Sequence, residues 1–405
     1  MIKSIGNKLY LACFAVFSVL VISLFLPNHP PHLPPAFTPH LPPRALHYQF
    51  MSNLLTAAAI IWYPLGLWFI FVSSKSANIL TRLSKLTRHW YINTGLGFCI
   101  ISIGIMLWTL PLTIASHILL VKYGFSHEPW NGVIRDRLLQ WLVQLPTAVV
   151  YVLGVALFRK DRKRYWLHVW LILVPVMFFE MAAGPVLIAP LFNTFKPLPN
   201  GPLRTEINAL AQSVGIHHPN ILVVNTSVRS SYVNANVAGW GPTIRIVMDD
   251  NDLRVLTQPE IIAMIGHEMG HYVEHHVYIL FVSNCIGAFV LLFAFSRIAV
   301  RIDEVLNKEL SERVTSIRAI PLVQLTIYIL LMAQMPIANA ESRYLEHRAD
   351  TFSLKHAKLN IPLAQLMMGF VTREYGTPYP PRLWQWWFGT HPSLDNRILF
   401  ALTYR

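Results

Sequence analysis

Seven nearly uncharged apolar runs dominate this sequence, over residues 9–26, 54–72, 96–121, 138–158, 166–188, 277–295 and 320–337. Each reaches the ~18 residues or more that a helix needs to cross a hydrocarbon layer of about 30 Å. The chain is therefore expected to be mainly α-helical and to cross a membrane about seven times. Its makeup agrees: 54% of residues are hydrophobic and 13% charged, where soluble domains carry roughly a quarter of charged residues. The first run follows Lys3 and Lys8, as a signal peptide would. It is longer than the usual ~7–15-residue apolar core and no A-x-A-like site follows, so it is read as an anchor.

A net charge of +13 raises the question of a nucleic-acid surface. Much of the excess lies in short runs beside spans, at Lys75, Arg82, Lys85 and Arg88 and at Arg159, Lys160, Arg162, Lys163 and Arg164. Membrane topology accounts for such runs, and no nucleic-acid partner is expected. Cys13, Cys99 and Cys285 fall inside apolar runs without CxxC spacing, which excludes a disulfide framework and a thiolate metal site.

These runs divide the chain into five spans with their loops (1–188), an extramembrane α+β segment (189–276), two further spans (277–337) and a carboxy-terminal tail (338–405). The proline-rich residues 27–43 read as an extended loop whose histidines are filler. In 189–276, Leu203, Ile207, Leu210, Ala211 and Val214 before Gly215 predict an amphipathic helix. Residues 221–224 and 244–248 predict short strands, the second after the turn signal Gly239-Trp240-Gly241-Pro242. Thr257 and Glu260 form a capping-box pattern that starts a helix running into Gly266-His267-Glu268-Met269-Gly270-His271. Residues 338–356 are expected to prolong the last span as a helix carrying Glu346 and Asp350. A loop-like aromatic tail then runs through Tyr379-Pro380-Pro381, Trp384, Trp386 and Trp387 to His391-Pro392.

Histidines four residues apart project from one helix face and can share a zinc ion, and the glutamate after the first can reach a water on that ion. Two surface histidines and a solvated glutamate are the other reading, weakened by the capped, apolar helix and by Gly266 and Gly270 at tight positions. A catalytic zinc takes a third protein ligand. Glu346 is the candidate, because the two spans between it and His271 return the chain to the same membrane face. Asp350 shares the helical face of Glu346 and is placed to accept a hydrogen bond from a ligand histidine and fix its tautomer. A solvated acidic face paired with Arg343 or Arg348 is the alternative for that helix. Glu268 is expected to act as general base and to return the proton to the leaving amine, with His391 donating to the developing oxyanion.

These motifs resemble those of the type I CAAX prenyl endopeptidases, a family of membrane zinc metalloproteases. The likeness runs from about the third span onward. Residues 266–271 are similar to GHExGH, with His276 where the family has a further histidine, and residues 342–350 to SRxxExxAD. Residues 189–199 are similar to APLFxxFxPLP, Arg229-Ser230-Ser231 with Asn234-Ala235 to RSSxxNA, and His391-Pro392 to a late HP. The resemblance implies about seven helices around an intramembrane chamber, with a small α+β zinc metallopeptidase unit at one face. It implies one zinc ion per chain on His267, His271 and Glu346, with Asp350 and His276 behind these ligands. It also implies a peptide bound as an added strand near Asn234, and Arg397 is assigned to the substrate beside it. The chain departs from the family pattern at Tyr232, where histidine is frequent, and at Asn236-Val237-Ala238, where aromatic residues are usual.

The expected partners are a peptide or lipidated, CAAX-like prenylated peptide and the surrounding lipids. Basic loops after the second and fourth spans place the zinc face outside the cytoplasm, whereas the resemblance implies a cytosol-facing site in a bacterial cell membrane or the endoplasmic reticulum. Glu180, inside the fifth run, is flagged for function because a carboxylate in lipid is costly. Two other functions suit the same residues. A transporter or lipid-binding protein with a structural zinc clip would need a closed ligand set and have no use for Glu268. A zinc hydrolase acting on a non-peptide amide or a lipid would not need the Asn234 strand.

Overall fold

A computed structural model describes residues 33–217, 219–239 and 244–405, together with 14–15, 18–24 and 26 of the first apolar run. Residues 9–13, 16–17 and 25 of that run, Cys13 among them, residues 27–32 and the Trp240-Gly241-Pro242 part of the turn signal lie outside the described residues. Residues 33–42 carry only one 3-10 turn, Pro35–Phe37, as their prolines require.

The membrane unit then begins with α1 (Pro43–Val72) and a short amphipathic α2 (Ser74–Leu83). It continues with α3 (Trp90–Tyr123), α4 (Trp130–Val143), α5 (Pro146–Lys160) and α6 (Tyr165–Ala183). The run at 138–158 spans two helices because Pro146 has no N–H to bond back; α4 ends before it and α5 restarts with proline at its first position. A π turn, Gly184–Ile188, closes α6.

The extramembrane unit holds β1 (Phe195–Pro197), α7 (Pro202–Ser213), β2 (Ile221–Val224), β3 (Ala235–Ala238), β4 (Arg245–Asp249) and α8 (Gln258–Val273). Two long helices, α9 (His276–Leu310) and α10 (Ile320–Ala357), leave and return, and α11 (Asn360–Thr372), α12 (Arg382–Phe388) and α13 (Leu394–Thr403) finish the chain. Six stretches among the described residues are helical, long and apolar enough to cross a bilayer: α1, α3, α4 with α5, α6 with the turns after it, α9 and α10.

The four strands lie in the order β1-β2-β4-β3, with β2 and β4 parallel and both outer pairs antiparallel, so β3 is an open edge. Ile207, Ile221, Met248, Ile265, Met269 and Leu363 interlock beneath the sheet, each at most 1% exposed. Fully burying a side chain of that kind contributes about 1.5–3 kcal/mol, so α8 is fixed between the sheet, α7, α10 and α11.

Two glycines set how near α8 comes to α10. A Cβ on Gly270 would lie 2.9 Å from the Cβ of Phe352 and 3.1 Å from the Cα of Ala349, and one on Gly266 would lie 3.0 Å from the Ser353 hydroxyl. The aromatic tail, expected as loop, contains the helix α12. Pro381 caps it, Arg343 Nη1 donates to the carbonyls of Gln385 (3.2 Å) and Gly389 (2.6 Å), and Asn339 Nδ2 donates to Trp387 (2.6 Å). These tertiary bonds hold a segment whose sequence has no helical period.

Candidate metal centre and peptide edge

The capping box at Thr257 and Glu260 fixes the phase of α8, with the Glu260 carboxylate accepting from the Thr257 amide at 2.8 Å. One turn apart, His267 and His271 bring their Nε2 atoms to 3.1 Å of each other. Glu346 on α10 places Oε2 3.2 Å from His267 Nε2 and Oε1 3.5 Å from His271 Nε2. Ligand atoms of these three side chains all lie within 4.8 Å of one another. Glu346 Oε2 is buried and accepts no hydrogen bond, although His391 Nε2 also lies 3.2 Å away. Two imidazole nitrogens and a carboxylate oxygen turned on one point, with a buried oxygen left unsatisfied, fit a cation with zinc's ligand preference.

A second layer orients both histidines. His267 Nδ1–H donates to Asp350 Oδ1 at 2.8 Å, and Arg397 forks onto the same carboxylate through Nε (2.8 Å) and Nη2 (2.6 Å). Arg397 was expected on the substrate; only 9% exposed, it points inward and supports Asp350 instead, the bidentate fit that a guanidinium makes with a carboxylate. On the other side, His271 Nδ1 lies 2.9 Å from His276 Nδ1, and His276 Nε2 lies 3.1 Å from Glu274 Oε2. With Nε2–H of His276 donating to Glu274, its Nδ1 accepts from His271, which frees the His271 Nε2 lone pair. Glu274 is held by Arg348 at 2.7 Å. Neither appears as a site residue in the sequence reading, where Arg348 is weighed only as a partner for Glu346 or Asp350. The position of Glu274 between His271 and His276 was the available signal.

Burial and the neighbouring His267 hold the His271 imidazole down at about 3. Burial also opposes charge on His267, but the hydrogen bond to Asp350 and the nearby Glu346 carboxylate outweigh it and keep that imidazole up at about 9. A metal ion bound between the two Nε2 atoms would displace this proton.

Glu268 is half-buried and accepts from the backbone amide of Val237 on β3; burial pushes its carboxyl up to about 7. The Asp249 amide donates to the Asn234 carbonyl at 3.0 Å. Backbone groups alternate along a strand, so those of Ala235 and Val237 face the open edge. Asn234 is exposed at the head of this edge, and His391, with 52% of its side chain exposed, stands against Glu346.

Carboxylates and the membrane unit hold the segment leading into β3. Glu374 accepts from the Val233 amide (2.8 Å) and Asp252 from that of Asn234 (3.1 Å), while Asn251 Nδ2 donates to the carbonyls of Ser230 and Tyr232 (2.8 Å each). Burial, helped by the charge of Asp249, pushes Asp252 up to about 8, and burial lifts Glu374 to about 7. The loop after α3 pairs with this segment through Ser126 and Ser230, and the His127 amide donates to the Arg229 carbonyl at 2.9 Å. Tyr232 stacks on Phe125, and its hydroxyl lies 2.9 Å from that of Tyr48 on α1. Glu180 is exposed on α6.

Two family descriptions match the sequence. Peptidase family M48 covers residues 197–404, and the CAAX prenyl protease N-terminal unit, five membrane helices, covers residues 45–194. The chain is 30% identical to the metalloprotease YhfN of Bacillus subtilis, over 86% of this chain and 83% of that one. It is 26% identical to the CAAX prenyl protease 1 homolog of Dictyostelium discoideum, over 87% and 82% of the two chains. Its fold is similar to the crystal structure of S. mikatae Ste24p, with a TM-score of 0.85 and 24% identity over 99% of each chain.

Proposed function

Because the chain belongs to peptidase family M48, carries the five-helix membrane unit of the CAAX prenyl proteases and is a membrane metalloendopeptidase, we propose that it cleaves membrane-associated or prenylated peptides at a single zinc ion held by His267, His271 and Glu346. The convergence of these three ligands on one point, with Glu346 Oε2 buried and unsatisfied, carries the reading. Zinc bound there would polarise the scissile carbonyl and make the attacking water acidic. The names of the relatives, CAAX prenyl protease 1, support the substrate class.

The chain's own residues supply the remaining steps. A peptide lies along β3, gripped by the outward backbone groups of Ala235, the carbonyl of Val237 and the Asn234 side chain. Glu268 takes the proton of the attacking water and delivers it to the leaving amine, a task suited to a carboxyl with an affinity near neutral pH. His391 donates to the oxyanion, and Asp350 and His276 keep the two ligand imidazoles in the tautomers that leave Nε2 free.

The test is Glu268→Gln in the purified full-length protein. Cleavage of a prenylated peptide is expected to fall by about 10²–10⁴-fold with bound zinc unchanged. A zinc-loaded variant that keeps full activity would refute the assignment.

A further inference from the structure

We propose that the cavity inside the membrane unit receives the carboxy-terminal end of the substrate and that Arg137 binds its free α-carboxylate. This rests on the reading of β3 as the strand with which a peptide pairs. Antiparallel pairing is the commoner arrangement. Since β3 runs from Ala235 to Ala238, an antiparallel peptide sends its carboxy-terminal half past Asn234 toward Tyr232 and Ser230. Those two residues line a cavity of about 950 Å³ between α1, α3, α4 and α5, within the roughly 300–1,000 Å³ of typical ligand sites.

The charges in its wall are paired unevenly. Arg229 pairs with Asp136 at 2.8 Å and Glu128 at 3.8 Å, and Asp136 also takes Arg135 at 2.9 Å. Arg137 also lines the cavity, meets no carboxylate at ion-pair distance among the described residues, and donates to the hydroxyl of Thr113. Two guanidinium groups and two carboxylates line the cavity, but both carboxylates sit on Arg229, which leaves Arg137 without one. Arg137 directly precedes the apolar run 138–158, and a guanidinium binds a carboxylate in a two-pronged, charge-assisted geometry. Gln324 Oε1, buried in the same wall without a hydrogen-bond partner, offers an acceptor for a peptide N–H. A substrate ending shortly after its cleaved bond meets both groups; the same peptide blocked as an amide lacks the charge.

The experiment compares two otherwise identical short peptides, one with a free carboxylate and one with a terminal carboxamide, as substrates of the full-length zinc-loaded protein in nanodiscs. The expected kcat/KM ratio of acid to amide is at least about tenfold in the wild type, about one in Arg137→Gln, and intermediate in Arg137→Lys. Equal cleavage by the wild type, or an unchanged ratio in Arg137→Gln, overturns the proposal. If Arg137→Gln does not fold, competition by uncleavable acid and amide peptides against the wild type decides, and equal competition overturns it. Failure of the active-site reading has a different signature: neither peptide is cut in a Glu268-dependent way. The acid-to-amide ratio is then read from binding to Glu268→Gln protein.

Discussion

Two histidines and a glutamate are ordinary residues; what singles them out here is the layer behind them. Asp350 accepts from His267 and from both arms of Arg397, which an asparagine, with a single side-chain oxygen, cannot do. Asp350→Asn is therefore expected to weaken zinc binding about 10–100-fold, measured by competition with a chelator. The His267–His271 pair was legible because a helix puts residues four apart on one face, and Glu346 because two intervening spans bring the chain back. Arg397 and Glu274 were not legible in these roles. An ion pair between residues 47 apart in sequence leaves no periodic trace, and a buried arginine reads from sequence like any basic residue.

Among the elements, the seam between α8 and α10 has the least room. Gly270→Ala inserts a methyl group against Phe352 and the backbone of Ala349. It is expected to cost about 1–3 kcal/mol, seen as a lowered unfolding midpoint, and to weaken zinc binding because Glu346 moves away with α10. The lead-in to β3 carries a pH dependence. Asp252 is fully buried, with its affinity for a proton raised from 3.8 to about 8. The stability supplied by that proton is fully present below about 3.8 and is lost as the pH rises through about 8. The melting temperature should thus fall between pH 5 and 8 more steeply in the wild type than in Asp252→Asn, and parallel curves would rule the linkage out. Local patterns foretold α7, β2 and the cap of α8, since period, turn residues and capping act within a few residues. They missed α12, which long-range donors from Arg343 and Asn339 hold in place.

At the scale of the molecule, six spans among the described residues put the metal face and the carboxy terminus together, opposite the turn at residues 161–164. Reporters fused after Arg405 and inserted in that turn are expected to report opposite sides of the membrane; the same side for both would reject the topology. Apolar runs predicted about seven crossings, six of which are found among the described residues, but not the cavity, which arises from how helices distant in sequence lean together. The division of the proposed ligand set has a consequence in time. Glu346 follows His271 by 75 residues, with a complete outward and return crossing between them. During synthesis the two histidines and their base emerge while the last span is still unmade. On the proposed ligand set, a nascent or half-inserted chain therefore carries a histidine pair without its carboxylate partner, and proteolytic capacity is expected only once the final helix seats, which would delay cutting until the chain's own assembly in the bilayer is finished.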